Sequence, residues 1–555
     1  LYTELAERGH ELALEFDIAD SVAEEAVRLF VPDVIVASFM KRAIPESVGR
    51  NDLCLVVHPG IVGDRGPSAL DWAILDGERE WGVTVLQAEA DMDAGPIWAA
   101  ETFPMRPARK SSLYRNEATE AAARAVLKAL DRVASGSFRP TPLAEMREAR
   151  GRLRPAMTDA DRSIDWTHDA TEVVLAKIRS ADGVPGVPDV LFGVPCRLFD
   201  ACAEPGGACG VPGEVIARRD DAILRCTRDG AVWIGHVRRL DAEGTFKLPV
   251  GLAFPRDVAA LPPRPVALDS DAGGYRELRY EERAGIGYLH FPFNNGAMST
   301  AQCERLLAAY RAALGRPTRV IVLMGGPDFW SNGIHLNVIE AAESPADESW
   351  RNINAIDDVT HAIIDTTDRL VIAAMQGNAG AGGVFMALAA DEVWARQGVL
   401  LNPHYKNMGN LYGSEYWTYL LPRKVRSAPP AAVMKQRLPV SAARAQRIGL
   451  VDAVLAADPA QFVRDVRDRA EALAADAAFA QRIADKRARR ASDEAAKPLA
   501  AYREEELAEM RRNFYGFDPS YHVARAYFIQ KTPPSWTPRH LAVHREPRST
   551  ARKAG

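Results

Sequence analysis

Two clusters of glycine and small polar residues, far apart in the chain, constrain its fold more than any other feature. The first runs His58-Pro59-Gly60, Asp64-Arg65-Gly66-Pro67-Ser68 and Asp91-Met92-Asp93-Ala94-Gly95. The second comprises Ser331-Asn332-Gly333-Ile334 and the downstream run Gly377-Asn378-Ala379-Gly380-Ala381-Gly382-Gly383. Each cluster follows short apolar runs of strand length. His58 directly follows 53–57, Asp93 lies just beyond 83–87, and Ser331 comes after 320–323. Open α/β sheets place ligands beyond the carboxyl ends of their strands, so each cluster sits where a site is expected. Two such clusters require two α/β units.

The rest of the chain agrees. A length of 555 residues exceeds what one hydrophobic core organises and suggests three or four domains. Helical patterns over 2–8 and 22–29 alternate with strands at 33–37, 53–57 and 81–87, which predicts a mostly parallel, doubly wound sheet. Residues 1–14 read as one amphipathic helix with no strand before it, from which a missing first strand is expected. A long helix over 114–134 closes this domain. Short strands with turn residues follow, including Asp229-Gly230 before Ala231-Val232-Trp233-Ile234, the signature of a hairpin in a small β-barrel. After Pro- and Gly-rich linker sequence, a strand at 286–291, a helix at 300–314 and strands at 320–323 and 370–374 form a second α/β unit. Residues 461–514 read as a solvated helical layer, and the basic, Pro-rich tail from 532 orders only by packing on another domain. The domains expected are 1–150, 151–262, a linker at 263–278, and 279–555.

Composition narrows the partners. A formal charge of −5 provides no basic field for nucleic acid. No apolar run approaches the ~18 residues of a membrane helix, and no signal peptide is evident. The six cysteines (54, 196, 202, 209, 226 and 303) form no CxxC pair, so reduced thiols in a cytoplasmic protein are expected, with no metal site.

The first cluster, in its context Leu55-Val56-Val57-His58-Pro59-Gly60 … Asp91-Met92-Asp93-Ala94-Gly95-Pro96, resembles the methionyl-tRNA formyltransferase family. Ser163-Ile164-Asp165-Trp166 and Pro212-Gly213-Glu214-Val215-Ile216 resemble markers of that family's second domain, an OB-like barrel. The resemblance implies a Rossmann-like domain that uses 10-formyl-tetrahydrofolate as formyl donor. His58 would polarise the formyl carbonyl while Asp93 sets its protonation. The loop carrying Phe39, Met40, Lys41 and Ala43 would line the pteridine pocket, with Asp91 and Met92 across from it. The family pattern is Asn-x-His, and here Val56 stands at the asparagine position. Losing an oxyanion donor costs about 2–4 kcal/mol of transition-state stabilisation. Either the domain is inactive or its acceptor is a better nucleophile than an amine. A thiol, with a pKa near ~8.5, ionises far more readily than an amine, which points to coenzyme A.

The second cluster, with Pro439-Val440-Ser441-Ala442 … Gly449-Leu450-Val451-Asp452, resembles the crotonase (enoyl-CoA hydratase) family over about 280–456. No Gly-Lys-Ser/Thr follows the glycine run, so it is not a phosphate-binding P-loop. By position, the N–H groups of Ile334 and Gly382, flanked by Gly333 and Gly383, would hold a thioester oxygen. The two glutamates that hydratases use to add water fall here on Phe385 and, less securely, on His404. His404, Tyr412, Glu415 and Tyr416 are the nearby candidates for moving protons.

The joined architecture is similar to the HypX-type hydrogenase maturation factors. That resemblance implies formyl transfer to coenzyme A, then cleavage of formyl-CoA to carbon monoxide for a nickel–iron hydrogenase, with transient contact to other maturation proteins. Three alternatives stay open: a formyltransferase for tRNA or an amino sugar, a formyl-CoA hydrolase releasing formate, and a non-catalytic scaffold binding folate or coenzyme A.

Overall fold

The β-branched run Ile35–Ser38 (β1) lies parallel to Cys54–His58 (β2), with Ile35 beside Cys54 and Ser38 beside Val57. Glu80–Gln87 (β3) and Ile97–Pro104 (β4) continue the sheet in the order β1-β2-β3-β4, but both of these pairings are antiparallel. The described sheet is therefore mixed rather than mostly parallel. The loop 88–96 after β3 returns the chain as its neighbour β4, where a parallel neighbour would need a crossover. Helix Thr119–Ser135 packs on β3 and β4 through Ala121, Ala122, Ala125, Val126 and Ala129, whose small side chains allow close approach. Where a single long helix was expected, Lys110–Leu113 leads into it through a π-turn at Tyr114–Ala118.

The computed structural model describes residues 1–40, 42–147, 149–207, 210–425 and 429–546. These form two units, one of 1–243, 249–262 and the tail from 532, the other of 244–248 and 263–531.

In the first unit, the second sheet runs β5 (Val187–Leu191), β6 (Val194–Ala203), β9 (Ala231–Arg239), β8 (Ala222–Cys226) and β7 (Val215–Arg219). All these pairings are antiparallel, with the Asp229-Gly230 turn between β8 and β9 as expected. The edge strands β5 and β7 do not pair with each other among the described residues, as in a partly open OB-like barrel. The first helix spans only Tyr2–Glu7, because Gly9 turns the chain at φ 87°. The expected helix to residue 14 is replaced by an extended segment paired with the tail. Leu14 N–H donates to the Leu541 carbonyl at 2.9 Å, Phe16 N–H to Thr537 at 2.9 Å, and Glu15 accepts from His544 and Arg545, each at 2.9 Å.

In the second unit, Val320–Gly325 and Leu370–Met375 are buried at every residue, as expected for strands covered on both faces. The six-stranded sheet runs Arg279–Arg283, Ile286–His290, Val320–Gly325, Leu370–Met375, Glu392–Arg396, Ala453–Leu455, parallel after its first pair. Helix Thr300–Leu314 lies as expected, started by a capping box between Ser299 and Gln302. The charged stretch 461–514 is helical but is not simply a solvated layer. Helix Leu499–Tyr515 buries Leu499, Glu506, Met510 and Phe514.

Asp71 is an ionic hub of the first unit. One of its oxygens accepts from both Lys110 Nζ and Arg162, each at 2.8 Å, and all three side chains are largely buried. Replacing it with alanine strands two cations, so Asp71→Ala should destabilise the first unit by about 3–5 kcal/mol, read from denaturant unfolding. A surface pair such as Arg150–Glu80 should cost at most about 1 kcal/mol when broken.

Candidate functional site

The carboxyl end of β2 delivers His58 into a buried position between two carboxylates. Its Nε2 is 2.9 Å from Asp64 Oδ2, and its Nδ1 is 3.3 Å from Asp93 Oδ2. Asp93, at φ 56° on the loop after β3, also accepts the Gly66 N–H at 3.2 Å. The expected pair is thus together, and Asp64 joins it. The sequence displays Asp64 in the quoted motif, yet nothing in its spacing says which way the loop turns it.

Phe39 follows β1 at φ 53°, donates its N–H to the Val57 carbonyl at 3.3 Å, and sets its ring edge-on to Tyr114 at 5.6 Å. It therefore stands beside the end of β2. Met40, Ala43, Asp91 and Met92 are exposed. Lys41 lies outside the described residues. Val56 takes the strand position two before His58, between Ala37 and Leu86. Tyr114 is held protonated first by burial and then by the charges of Asp71 and Asp64.

The second site is built by a small four-stranded sheet. Phe329–Ser331 runs parallel to Asn378–Gly380, with Ser331 beside Ala379, so the loops that leave these strands emerge side by side. A Cβ on Gly333, whose φ is 78°, would lie 3.4 Å from Gly382 N, and one on Gly383 would stand 2.1 Å from the Ser331 carbonyl oxygen. Only glycine permits this approach. Gly382 begins helix Gly382–Leu388, so its N–H has no partner within that helix. Gly333, on the loop that continues to Ile334, and the start of the Gly382 helix are accordingly brought close together.

Against this point lies Glu415. A Cβ on Gly382 would fall 1.8 Å from Glu415 Oε1, while Oε2 accepts the Tyr405 hydroxyl at 2.5 Å. Tyr405 stacks on Phe385 at 5.4 Å, so two aromatic rings lie together beside Glu415. Asp357 accepts from Glu415 N–H at 2.8 Å and Ser414 Oγ at 2.7 Å; Glu506 accepts from Tyr416 N–H at 2.9 Å and Thr418 N–H at 2.8 Å. Burial, and then repulsion from Asp357, raises the pKa of Glu415; burial raises that of Asp357, against the Ser414 hydrogen bond and the Arg503 charge. Burial pushes Glu506 up to about 8.

The other candidates separate. Tyr416 is buried, with its ring near His361 at 5.9 Å and its hydroxyl interacting with Arg503. His404 is buried in the segment after Leu400–Asn402. Tyr412 stands apart, half-buried against Trp417 at 5.3 Å. Asp357, Tyr405 and Glu506 are missed by the sequence reading, since an acidic residue in a charged helix looks like surface. Among the described residues, no group of three or more His, Cys, Asp or Glu forms a metal site, and no helix is long and apolar enough to cross a membrane.

Comparison with known proteins follows the same division. The Formyl transferase family matches residues 13–130, its C-terminal domain family 156–246, and the Enoyl-CoA hydratase/isomerase family 281–539. The chain is 57% identical over 555 residues to the hydrogenase maturation factor HoxX of Bradyrhizobium diazoefficiens, covering all of this chain and 96% of that one. The crystal structure of HypX from Aquifex aeolicus in complex with tetrahydrofolic acid superposes with a TM-score of 0.95 at 47% identity, covering 99% of this chain and 96% of that one. A methionyl-tRNA formyltransferase of Citrifermentans bemidjiense is 26% identical over 232 residues, 41% of this chain and 70% of that one.

The buried carboxyls make stability depend on pH. Glu506, with a folded pKa above its unfolded value, binds more protons in the folded state between the two values, so its contribution falls as pH rises through that window. The melting temperature should decline from about pH 5 to 9. Glu506→Gln should flatten that decline, as followed by circular dichroism.

Proposed function

Because this chain belongs to the HoxX/HypX family of hydrogenase maturation factors, we propose that it makes carbon monoxide for the iron of a nickel–iron hydrogenase, in two steps. In the first, the formyl group of 10-formyl-tetrahydrofolate passes to the thiol of coenzyme A beside His58 and Asp93. In the second, formyl-CoA is cleaved in the crotonase-like unit to carbon monoxide and coenzyme A. Both small molecules are substrates, and the tetrahydrofolate in the Aquifex relative supports the first assignment. Phe39 and Met40 would flank the pteridine, with Ala43, Asp91 and Met92 at its edge. Work in the cytoplasm and passing contact with other maturation proteins belong to the same reading.

The observation that carries the second step is Glu415 pressed against Gly382. Amides of Ile334 and Gly382, flanked by Gly333 and Gly383, would polarise the thioester carbonyl. Glu415, whose proton affinity is raised toward neutrality, would take the formyl hydrogen as the C–S bond breaks, and the departing thiolate would recover it. Tyr405 holds Glu415 in place, while Tyr416 and His404 are the remaining candidates for returning the proton. Phe385 and Tyr405 would keep water from the carbonyl. The same carboxyl also supports a second reading, in which it activates water and formyl-CoA is hydrolysed to formate.

Incubation with 10-formyl-tetrahydrofolate and coenzyme A separates these readings. Carbon monoxide trapped by deoxyhaemoglobin, in step with tetrahydrofolate release, is the expected result. Stoichiometric formate without carbon monoxide would establish the hydrolase, and neither product would leave a scaffold. His58→Ala should abolish both steps from the folate donor. Glu415→Gln should let formyl-CoA accumulate while carbon monoxide release falls by about 10²- to 10⁴-fold.

A further inference from the structure

The arrangement around His58 poses an accounting problem. A neutral imidazole carries one N–H and one lone pair. Here one nitrogen meets Asp64 at 2.9 Å and the other meets Asp93 at 3.3 Å. With a single proton, one nitrogen lone pair would face a carboxylate oxygen, a conflict that a second proton shared within the group would relieve. Asp64 is 2% exposed, and its other oxygen, Oδ1, is buried without a hydrogen-bond partner among the described residues. A buried acceptor without a donor costs roughly 1–3 kcal/mol, and one at a reaction centre is suited to a donor that arrives with the substrate.

The loop is built to hold this geometry. Asp64 N–H donates to Ile61 at 2.9 Å, Gly63 turns at φ 90°, and Arg65 N–H donates to Arg152 at 3.2 Å. A Cβ on Gly60 would stand 2.4 Å from His58 Nε2 and 2.5 Å from Asp64 Oδ2, and one on Gly151 would stand 1.8 Å from Asp64 N. Glycines at both positions are what let the carboxylate reach the imidazole.

We propose that Asp64 completes a proton store, Asp93–His58–Asp64, that accepts the proton of the acceptor thiol and returns it to the departing folate nitrogen. The step balances without another reactant. As the C–S bond forms, the S–H proton enters the store; as the C–N bond breaks, the store protonates the amine, and the thioester and the free amine leave. With an amine acceptor, an asparagine at position 56 would supply a neutral donor. With a thiol, the need shifts to a place for the proton, and a second carboxylate provides it. Tyr114 is the other titratable group that feels the charge of Asp64, together with that of Asp71.

The inference rests on the first step of the proposed function, and the test keeps the two apart. If the wild-type chain transfers no formyl group to coenzyme A, that reading fails. Given transfer, Asp64→Asn, isosteric but unable to hold the extra proton, should lower kcat by about 10²-fold with KM for the folate and affinity for tetrahydrofolate unchanged. Asp64→Glu should retain more activity than Asp64→Asn. A wild-type rate in Asp64→Asn, a loss of rate matched by loss of tetrahydrofolate binding, or the reverse order of the two variants would overturn the proposal.

Discussion

The second unit depends on two stretches of backbone passing closer than side chains allow. Strands Phe329–Ser331 and Asn378–Gly380 are short, but their parallel register decides where Ile334 and Gly382 come to rest. The approach is sealed by Trp330, whose indole N–H donates to the Gly383 carbonyl at 3.0 Å, and by Met298 N–H, which donates to Gly333 at 2.9 Å. Trp330, Met298, Ala379, Val384 and Phe385 all belong to one buried cluster, so this close approach is a seam in the core. Protein interiors transmit a change of one methylene. A Cβ at 382 or 383 would therefore disturb the core as well as the amides.

Both sites follow one substitution logic. The sequence resemblances put Val56 and Phe385 at positions where those families carry a polar group. At each, a buried carboxylate from another element has taken station nearby. Asp64 arrives from the loop after β2, and Glu415 from a segment remote in sequence from the glycine run. The replacements are not equivalent to the losses. An asparagine donates to a developing oxyanion, whereas a carboxylate accepts a proton. In the proposed reaction both changes shift the emphasis from binding charge to moving protons.

Much of this was legible in the sequence because it resides in local pattern. The strands at 53–57 and 320–323, the hairpin at Asp229-Gly230 and the helix start at Gly382 are set by residues next to one another. The pairing direction of β3 was not legible, since an apolar strand reads alike in either direction. Nor was the role of Glu506, because a glutamate in a charged helix has the same signature whether it faces water or the Tyr416 amide. Asp64 shows a third kind of limit. It stood within a quoted motif, but contact with His58 depends on the turn at Gly63 and on the backbone of 151–152 closing the loop. The tail was ambiguous for a similar reason, as its order comes from Glu15 and Glu25, residues at the opposite end of the chain.

The buried acids and the strained backbone of the second site explain each other. Glu415 and Tyr416 hold φ values of 60° and 58°, a conformation that costs non-glycine residues of order 1–3 kcal/mol each. Buried carboxyls, unpaired, are costlier still. Each of the two outer acids, however, accepts from an amide of this strained segment: Asp357 from Glu415 N–H, and Glu506 from Tyr416 and Thr418 N–H. The left-handed turn leaves amides that no regular element satisfies, and the acids on helices Pro345–Asp365 and Leu499–Tyr515 satisfy them. Glu415 is thereby fixed from its own backbone, with its side chain left to Tyr405 and the space beside Gly382. Relaxing the turn would strand two acids, and replacing the acids with apolar side chains would release the turn. That mutual dependence holds the Glu415 carboxyl beside Gly382 inside the core.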